Sequence, residues 1–436
     1  MVRFIKKFIS LDNPFRLFYH LVRAIIANII YGYPSRDMVV IGITWTNGKT
    51  TTTNIIARWL KTSWKKIFMF STINYIIGDK EYRNDTKMTS PDVFLLQKLL
   101  RDAKKEWCEI AIIETSSHAI LMHRVWWIAY DIAILTNITQ DHLDLHKTMD
   151  NYVRTKLKLF KWLISSKRKP WIKKTAIINI ESQYKDLFLV ETYDNLVTYW
   201  LDYSSHLKPL NIKNNKDWTS FEVKIPSNNL MIKTKLRGIH NIYNILRAVW
   251  VFLDLWIKPD IIEKSILSVE WVPWRLEEIN NYEWFKIFID YAHTPDALEK
   301  ILNTVKNIEW INKIITVFWA TWDRDKTKRP IMWKIVSDNS DYVILTQDDD
   351  YSEKTQDIIK DVLPWIERKE WENFWIILDR EDAIRTALLK AQKDDLIIIA
   401  WKWDEHTMIT NDWIIAYNDK EVVIKILKEI DDNKIM

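Results

Sequence analysis

Ten residues near the start of the chain, Gly42-Ile-Thr-Trp45-Thr46-Asn47-Gly48-Lys49-Thr50-Thr51, carry the strongest local chemistry. They follow a strand-like apolar run and open a helix-like one. In that setting loop N–H groups and a helix N-terminus cradle phosphate oxygens, Lys49 adds a point charge, and the Thr50 hydroxyl can ligate Mg²⁺. Trp45 is out of place there. A phosphate loop needs residues that take positive φ and bring backbone close to the anion, and an indole does neither. Two later apolar runs end in residues suited to the same ion: Glu114-Thr-Ser116-Ser117-His118 and Thr136-Asn137-Ile-Thr-Gln140-Asp141-His142-Leu-Asp144. Strand C-termini beside a phosphate loop are where an open α/β sheet builds its site, so Glu114 and His142 are candidate Mg²⁺ ligands or orienters. Lys156, within Tyr152-Val-Arg-Thr-Lys156-Leu-Lys158-Leu-Phe160, reads by spacing alone as a solvated lysine on a helix.

The elements that must position these groups are short β-branched runs alternating with helices. Residues 38–43, 110–113 and 132–135 read as buried parallel strands. Residues 195–237 alternate polar with apolar, as a small antiparallel patch would, before a helix over 241–255. Strands at 285–290, 314–318, 342–345 and 396–400 follow, again separated by helices. The expected fold class is α/β: a P-loop central domain with a parallel sheet, a C-terminal Rossmann-like α/β domain and a short helical N-terminal segment. These occupy residues 37–257, 258–436 and 1–36. The first 33 residues set Arg3, Lys6, Lys7, Arg16 and Arg23 among aromatic and aliphatic residues. That suits helices packed on the next domain, or helices lying on a membrane surface as a peripheral contact. No apolar run reaches the length of a membrane span.

With 48% hydrophobic and 28% charged residues, the chain can build real cores, which excludes a disordered or collagen-like protein. The formal charge of +5 is too small and too dispersed to indicate nucleic acid, while anionic substrates remain open. Cys108 is the single cysteine, so no internal disulfide forms and a cytoplasmic, reducing compartment is expected. Glycine is nearly missing: 5 residues, against 25 tryptophans. Average usage would give about 30 glycines, the number that the two types reach together.

The ordered motifs resemble the Mur ligases, most closely the UDP-N-acetylmuramoyl-tripeptide synthetase (MurE-like) branch. The resemblance runs through the phosphate loop, Glu114–His118, Arg124-Val125, Thr136–His146, Gly238-Ile-His-Asn241-Ile-Tyr-Asn244 and Trp271-Val-Pro-Trp274-Arg275-Leu-Glu277. It continues through Asp290-Tyr-Ala-His293-Thr-Pro-Asp296, Asp323 to Pro330 and Trp401-Lys402-Trp403-Asp404-Glu405. It implies an ATP- and Mg²⁺-dependent, ADP-forming ligase of peptidoglycan precursor synthesis. Such an enzyme adds an amino acid to a UDP-N-acetylmuramoyl-peptide through an acyl phosphate.

By that resemblance the catalytic set is Lys49, Glu114, His142, Lys156, Arg275 and His293, with Thr50, Glu114, His142 and Lys156 on the metal. Lys156 matches a lysine that is carbamylated in the family, and a carbamate is an oxygen ligand that Mg²⁺ accepts. ATP would meet Trp45, Thr46, Asn47, Gly48, Lys49, Thr50, Thr51, Asn241, Asn244, Arg275 and Asp290. The muramyl peptide would meet Thr89, Ser90, Ser116 and Arg124, although Met88 and Met122 stand where the pattern has polar residues. The incoming amino acid would meet Arg329, Asp348, Asp349 and Glu405. The diaminopimelate signature Asp-Asn-Pro-Arg reads Asp348-Asp349-Asp350-Tyr351 here. Losing that arginine removes a bidentate carboxylate grip, which favours a lysine-like acceptor over diaminopimelate.

The family pattern has glycine at Trp45, Trp127, Trp256, Trp271, Trp274, Trp319, Trp322, Trp333, Trp401 and Trp403. The simplest account is a UGA codon that means glycine and is written here as tryptophan. Indoles at Trp45, Trp319, Trp322 and Trp401 would then crowd space meant for phosphate or amino acid. Where relatives carry a uridine-nucleotide domain, residues 1–36 offer only helix. This leaves UDP recognition to a shortened site, a lipid-linked or otherwise different muramyl peptide, or a partner. The expected protein is a monomer. A ligase for another carboxylate, of the polyglutamylating type, and a non-catalytic binding protein are the alternatives.

Overall fold

The computed structural model describes the chain except residues 1–12, 45, 47, 87, 140, 201–204, 215–217, 226–228, 237, 269–276, 280–283, 291, 293, 307, 309, 320–327, 348–354, 401, 403–406, 410–413 and 436. For residues 144, 328, 355, 356, 358, 361, 407, 409, 414 and 433–435 the backbone alone is described. The chain divides into two compact units, Met1–Glu270 and Trp271–Met436.

The first unit is built on strands β1 (Val39–Thr44), β2 (Ile67–Phe70), β3 (Asn74–Ile77), β4 (Lys80–Arg83), β5 (Ile110–Thr115), β6 (Ile132–Leu135), β7 (Thr175–Asn179) and β8 (Asn195–Tyr199). They form one sheet in the order β4-β3-β2-β5-β1-β6-β7-β8. The six strands from β2 to β8 in that order run parallel, and β3 and β4 close one edge as antiparallel ribbons. β1 lies between β5 and β6, so the chain leaving β1 emerges between the ends of the two strands that carry the other polar motifs. Close packing on β1 requires a glycine: a Cβ at Gly42 would lie 2.6 Å from the Tyr130 ring.

Residues 195–199 differ from the sequence expectation. They alternate like an edge strand, yet they pair in parallel with β7 at the rim of the main sheet. The antiparallel patch is shorter, formed by β9 (Pro209–Asn214), β10 (Thr219–Lys224) and β11 (Asn229–Thr234). At the front, the helix Pro14–Tyr31 buries Ala24, Ala27 and Asn28, with the two alanines packing against Val93.

The second unit carries β12 (Glu277–Glu278), β13 (Lys286–Asp290), β14 (Ile314–Phe318), β15 (Tyr342–Leu345), β16 (Phe374–Ile376) and β17 (Leu396–Ala400). Their order is β12-β13-β17-β14-β15-β16, parallel apart from β12. Its two apolar clusters lie on opposite faces of that sheet, as period-two alternation requires.

Tryptophan occupies an unusual set of backbone positions. Of the twelve described non-glycine residues with positive φ, six are Trp64, Trp107, Trp127, Trp171, Trp256 and Trp371. Each of their indoles is exposed to solvent. Trp64, Trp107 and Trp256 each follow a helix in one hydrogen-bond pattern. The Trp N–H reaches back three residues, to Lys61, Lys104 and Leu253, and the next N–H reaches back five, to Leu60, Ala103 and Phe252. Gly32 closes the helix Pro14–Tyr31 in that same pattern, with φ 71°. This is the left-handed helix stop in which glycine is the usual residue.

Candidate active site

The phosphate loop leaves β1 and ends at Gly48, whose φ of 90° admits no ordinary side chain and which caps the helix Lys49–Thr62. Thr46 braces the loop. Its hydroxyl lies 3.1 Å from both the Thr139 carbonyl and the Tyr152 hydroxyl, and its N–H donates to the Asn137 carbonyl. The Lys49 ammonium donates to the Thr46 carbonyl at 3.1 Å. Thr50 and Thr51 are buried in the first turn.

Glu114 sits beside Ile43 in the β5–β1 register, so the sheet itself delivers its carboxylate to the loop. The Thr50 hydroxyl lies 3.0 Å from both Glu114 oxygens. Thr72, just beyond β2, donates its N–H at 2.8 Å and its hydroxyl at 2.9 Å to Glu114 Oε2. The Thr72 hydroxyl also lies 3.1 Å from that of Thr89, and the Ser90 hydroxyl donates to the Glu114 carbonyl at 2.9 Å. Ser116 caps the next short helix through Ala119 N–H, and its own N–H donates to the Ser90 hydroxyl. Arg124 donates to the Ser90 carbonyl at 3.1 Å. The sulfurs of Met88 and Met122 lie 3.2 and 3.5 Å from its guanidinium, so thioethers, weak acceptors, hold the places expected to be polar.

On the opposite side of the loop, His142 takes a left-handed conformation (φ 53°), and its Nε2 lies 3.3 Å from the Asp141 carboxylate. Its ring meets that of His118 edge-on at 4.8 Å. Burial pulls the His142 imidazole well below its ordinary pKa. The Asp141 charge works against this shift, while His118, Lys49 and Lys156 reinforce it. His146 is pulled down to about 4 by burial, with His118 and Lys156 adding to the effect.

Lys156 is where spacing misled. It is fully buried in the helix Met149–Ser165 rather than solvated, and its Nζ has no hydrogen-bond partner among the described residues. Burial first, and then the Lys49 charge, hold its ammonium well below the usual lysine range. A signal existed in the sequence: Lys156 falls three and four residues from Val153, Tyr152, Leu159 and Phe160, on the apolar stripe of its helix.

Asn241 and Asn244 arrive from the helix Ile239–Asp254. Asn244 Oδ1 accepts from the Thr52 hydroxyl at 3.0 Å and from Arg247 at 2.6 Å, and Asn244 Nδ2 donates to Asn241. A Cβ at Gly48 would lie 3.4 Å from Asn244 Oδ1, so the phosphate loop and this helix touch at a glycine. Arg247, which also donates to Tyr199 at 2.6 Å and to Thr52, went unnoticed in the sequence, as did Thr72 and Tyr152. Only the polar Ser71-Thr72 step after an apolar strand hinted at Thr72.

One unit therefore assembles Thr46, Gly48, Lys49, Thr50, Thr51, Thr89, Ser90, Glu114, Ser116, Arg124, His142, Lys156, Asn241 and Asn244. In the second unit Asp290 ends β13 and Arg329 is buried near the start of the helix Lys328–Asn339. Trp45, Asn47, Arg275, His293, Asp348, Asp349 and Glu405 lie outside the described residues. So do Trp271, Trp274, Trp322, Trp401 and Trp403. Trp319 is fully buried and its indole N–H has no partner among the described residues, whereas the equally buried Trp333 donates to the Trp365 carbonyl at 2.9 Å.

Among the described residues no group of three or more His, Cys, Asp or Glu side chains forms a ready metal cage. The donors beside the loop still suit a hard cation. They are a carboxylate and a hydroxyl in contact, the hard oxygen donors that Mg²⁺ prefers.

Profiles of the Mur ligase middle domain and of the Mur ligase glutamate ligase domain match residues 43–252 and 274–400. The chain is similar to the UDP-N-acetylmuramoyl-L-alanyl-D-glutamate–2,6-diaminopimelate ligase of Syntrophomonas wolfei, 34% identical over 405 residues, covering 93% of this chain and 81% of the relative. The ligase of that name numbered 1 in Clostridium acetobutylicum is 36% identical over 409 residues, with coverage of 93% and 82%. A solved structure of a diaminopimelate ligase of the same name superposes with a TM-score of 0.63 at 26% identity, covering 90% of this chain and 79% of its own.

Proposed function

The chain belongs to the Mur ligase family, and from that premise we propose which of its residues join an amino acid to a UDP-N-acetylmuramoyl-peptide at the expense of ATP. The reaction brings two anions together. The substrate carboxylate attacks the γ-phosphate to give an acyl phosphate, and the amine of the incoming amino acid then displaces phosphate. Cations must offset the repulsion and the charge developing on the transferred group.

The observation that carries the assignment is the Thr50–Glu114 contact at the first turn of the phosphate-loop helix. Loop N–H groups and Lys49 hold the β- and γ-phosphates. Thr50 and Glu114 hold Mg²⁺, which supplies Lewis-acid neutralisation of the phosphate oxygens. Thr72 fixes the Glu114 carboxylate. Asn241 and Asn244 lie toward the adenine, and Thr89, Ser90, Ser116 and Arg124 orient the muramyl peptide. His142 serves a second ion with Lys156. The buried, unpartnered Lys156 amine is suited to carbamylation because a neutral amine adds CO₂, losing a proton and gaining a carboxylate-like oxygen pair. The family resemblance assigns Arg275, Asp290 and His293 to the nucleotide, and Arg329, Asp348, Asp349 and Glu405 to the incoming amino acid. The protein is a cytoplasmic monomer with two catalytic domains, which follow the two compact units and so divide after Glu270 rather than at residue 257.

The acceptor is a diamino acid. The relatives are named for diaminopimelate, and the Asp348–Tyr351 departure argues for lysine. Phosphate release is measured with UDP-linked muramyl dipeptide and either amino acid. Release that needs ATP, the muramyl peptide and one diamino acid supports the reading, and release indifferent to the muramyl peptide overturns it.

The same residues carry a second proposal, that most of the tryptophans stand for glycine. Left-handed backbone costs an ordinary side chain about 1–2 kcal/mol, and an exposed indole regains nothing by burial. Gly32 fills the same helix stop that Trp64, Trp107 and Trp256 fill. Trp127 and Trp256, two of the ten positions where the family pattern has glycine, are among the positive-φ set. Backbone geometry makes no such argument at Trp333. The intact mass of protein from the native organism decides the matter, since a mass agreeing with 25 tryptophans refutes recoding.

A further inference from the structure

The helix Ile239–Asp254 sets Asn241, Asn244 and Arg247 at three-residue spacing, and the last two reach Thr52 on the phosphate-loop helix Lys49–Thr62. Arg247 is buried, and a Cβ at Gly48 would lie 3.6 Å from its Nη1. The guanidinium is therefore one glycine away from the turn at which the loop opens its helix. Its place is fixed from two sides. Nη1 donates to the Thr52 hydroxyl at 3.0 Å and to Asn244 Oδ1 at 2.6 Å, while Nε donates to the Tyr199 hydroxyl at 2.6 Å.

All three acceptors are neutral, and among the described residues no carboxylate pairs with Arg247. None of the three needs a cation either. The Tyr199 hydroxyl also donates to the Leu135 carbonyl at 3.0 Å, and the Thr52 hydroxyl and Asn244 Oδ1 bond to each other at 3.0 Å. Without Arg247 each of these groups would keep a partner, so satisfying them does not account for a buried guanidinium. Burial holds its pKa below the ordinary arginine value, with Tyr199 and Tyr243 working against the shift, and an arginine stays charged regardless. A buried cation is costly unless an anion meets it. The turn at Gly48 is where loop N–H groups and a helix N-terminus receive phosphate.

We propose that Arg247 is a positioning residue for the nucleotide, a fixed positive charge behind the phosphate loop that acts across Gly48 on the bound phosphates. The phosphates supply the anion that the guanidinium otherwise lacks. Three hydrogen bonds hold the side chain in place, so the charge works through the loop rather than by reaching out to the ligand. Neutral acceptors leave that charge uncancelled, and a buried site screens it little. The base and the ribose carry no charge and do not sense it. This inference rests on the phosphate-loop reading and adds to it a residue from a helix distant in sequence.

The test compares the full chain with its Arg247→Met and Arg247→Lys variants. Calorimetric titration with MgADP and with adenosine is read beside the melting temperature without nucleotide. Arg247→Met is expected to weaken MgADP binding by about tenfold and to leave adenosine binding unchanged. It should raise the KM for ATP by a similar factor while kcat stays within about threefold. Its melting temperature without nucleotide should equal or exceed the parent's, because an unbalanced buried charge has gone. Arg247→Lys keeps the charge and should bring MgADP affinity back to within about threefold of the parent. Equal MgADP affinity in the parent and in Arg247→Met overturns the proposal, whatever the melting temperature does. An equal loss for MgADP and adenosine also overturns it, since the effect would then lie on the base. Where Arg247→Met does not fold, Arg247→Gln is measured in its place, and failure of both to fold even with MgADP makes Arg247 a purely structural residue and overturns the proposal. A parent chain that binds no MgADP instead sinks the phosphate-loop reading itself.

Discussion

The Lys156 side-chain nitrogen lies 4.5 Å from the centre of the Tyr152 ring, one helical turn earlier, and it makes no hydrogen bond to a described residue. A fully buried amine so placed is a destabilising charge if it stays a simple lysine. The carbamylation proposed above would convert the neutral amine into an anion that a metal can bind.

The first prediction concerns that modification. Enzyme depleted of CO₂ should lose activity and regain it with bicarbonate, and labelled bicarbonate should give a carbamate signal absent from Lys156→Ala. That variant should lose about 10²-fold or more in kcat, as loss of a charge-stabilising group does. Full activity in the absence of CO₂ would rule out the carbamate.

Glu114 and Thr50 should behave as one unit. Glu114→Gln keeps the hydrogen-bonding shape and removes the charge, so kcat should fall by about 10²-fold or more while the protein stays folded. The Mg²⁺ concentration needed for half-maximal rate should rise. Adding Thr50→Ala should cost less in the Glu114→Gln background than in the parent, because the two groups share one ion.

Acid should destabilise the first unit through His146. Its folded pKa of about 4 lies below the ordinary histidine value of 6.5, so below pH 6.5 the unfolded chain takes up a proton that the folded chain refuses. The contribution is fully present above that pH, is lost as pH falls towards 4, and is constant below. It amounts to about 3 kcal/mol at most. His146→Phe should flatten the denaturant midpoint between pH 6.5 and 4, and an unchanged slope would count against this assignment.

Glycine at the helix stops should stabilise. Trp64→Gly, Trp107→Gly and Trp256→Gly should each raise stability by about 1 kcal/mol in denaturant melts, with no effect on m-values. Destabilisation at all three would mean that the indoles make contacts worth more than the backbone strain.

Legibility in the sequence followed distance along the chain. The strands at 132–135, 314–318, 342–345 and 396–400 read correctly because buried parallel strands are unbroken apolar runs. β8 was misassigned because alternation describes an edge strand in either direction, and only its partner β7 makes it parallel. β2, β3 and β4, four residues each, are too short for periodicity to separate them from loop.

The sequence by itself determined the phosphate loop and its chemistry, since Gly48-Lys49-Thr50 is one contiguous stretch whose strand and helix lie on either side. It also exposed the glycine deficit, which needs only counting. The tertiary structure alone decided that Asn244 meets Thr52 across 192 positions, that Thr72 clamps Glu114, and that Lys156 is buried. Local pattern cannot decide these, because a polar residue on a helix has the same sequence neighbours whether its side chain meets water or another element. Which of the two it meets is set by the packing of segments far apart in the chain.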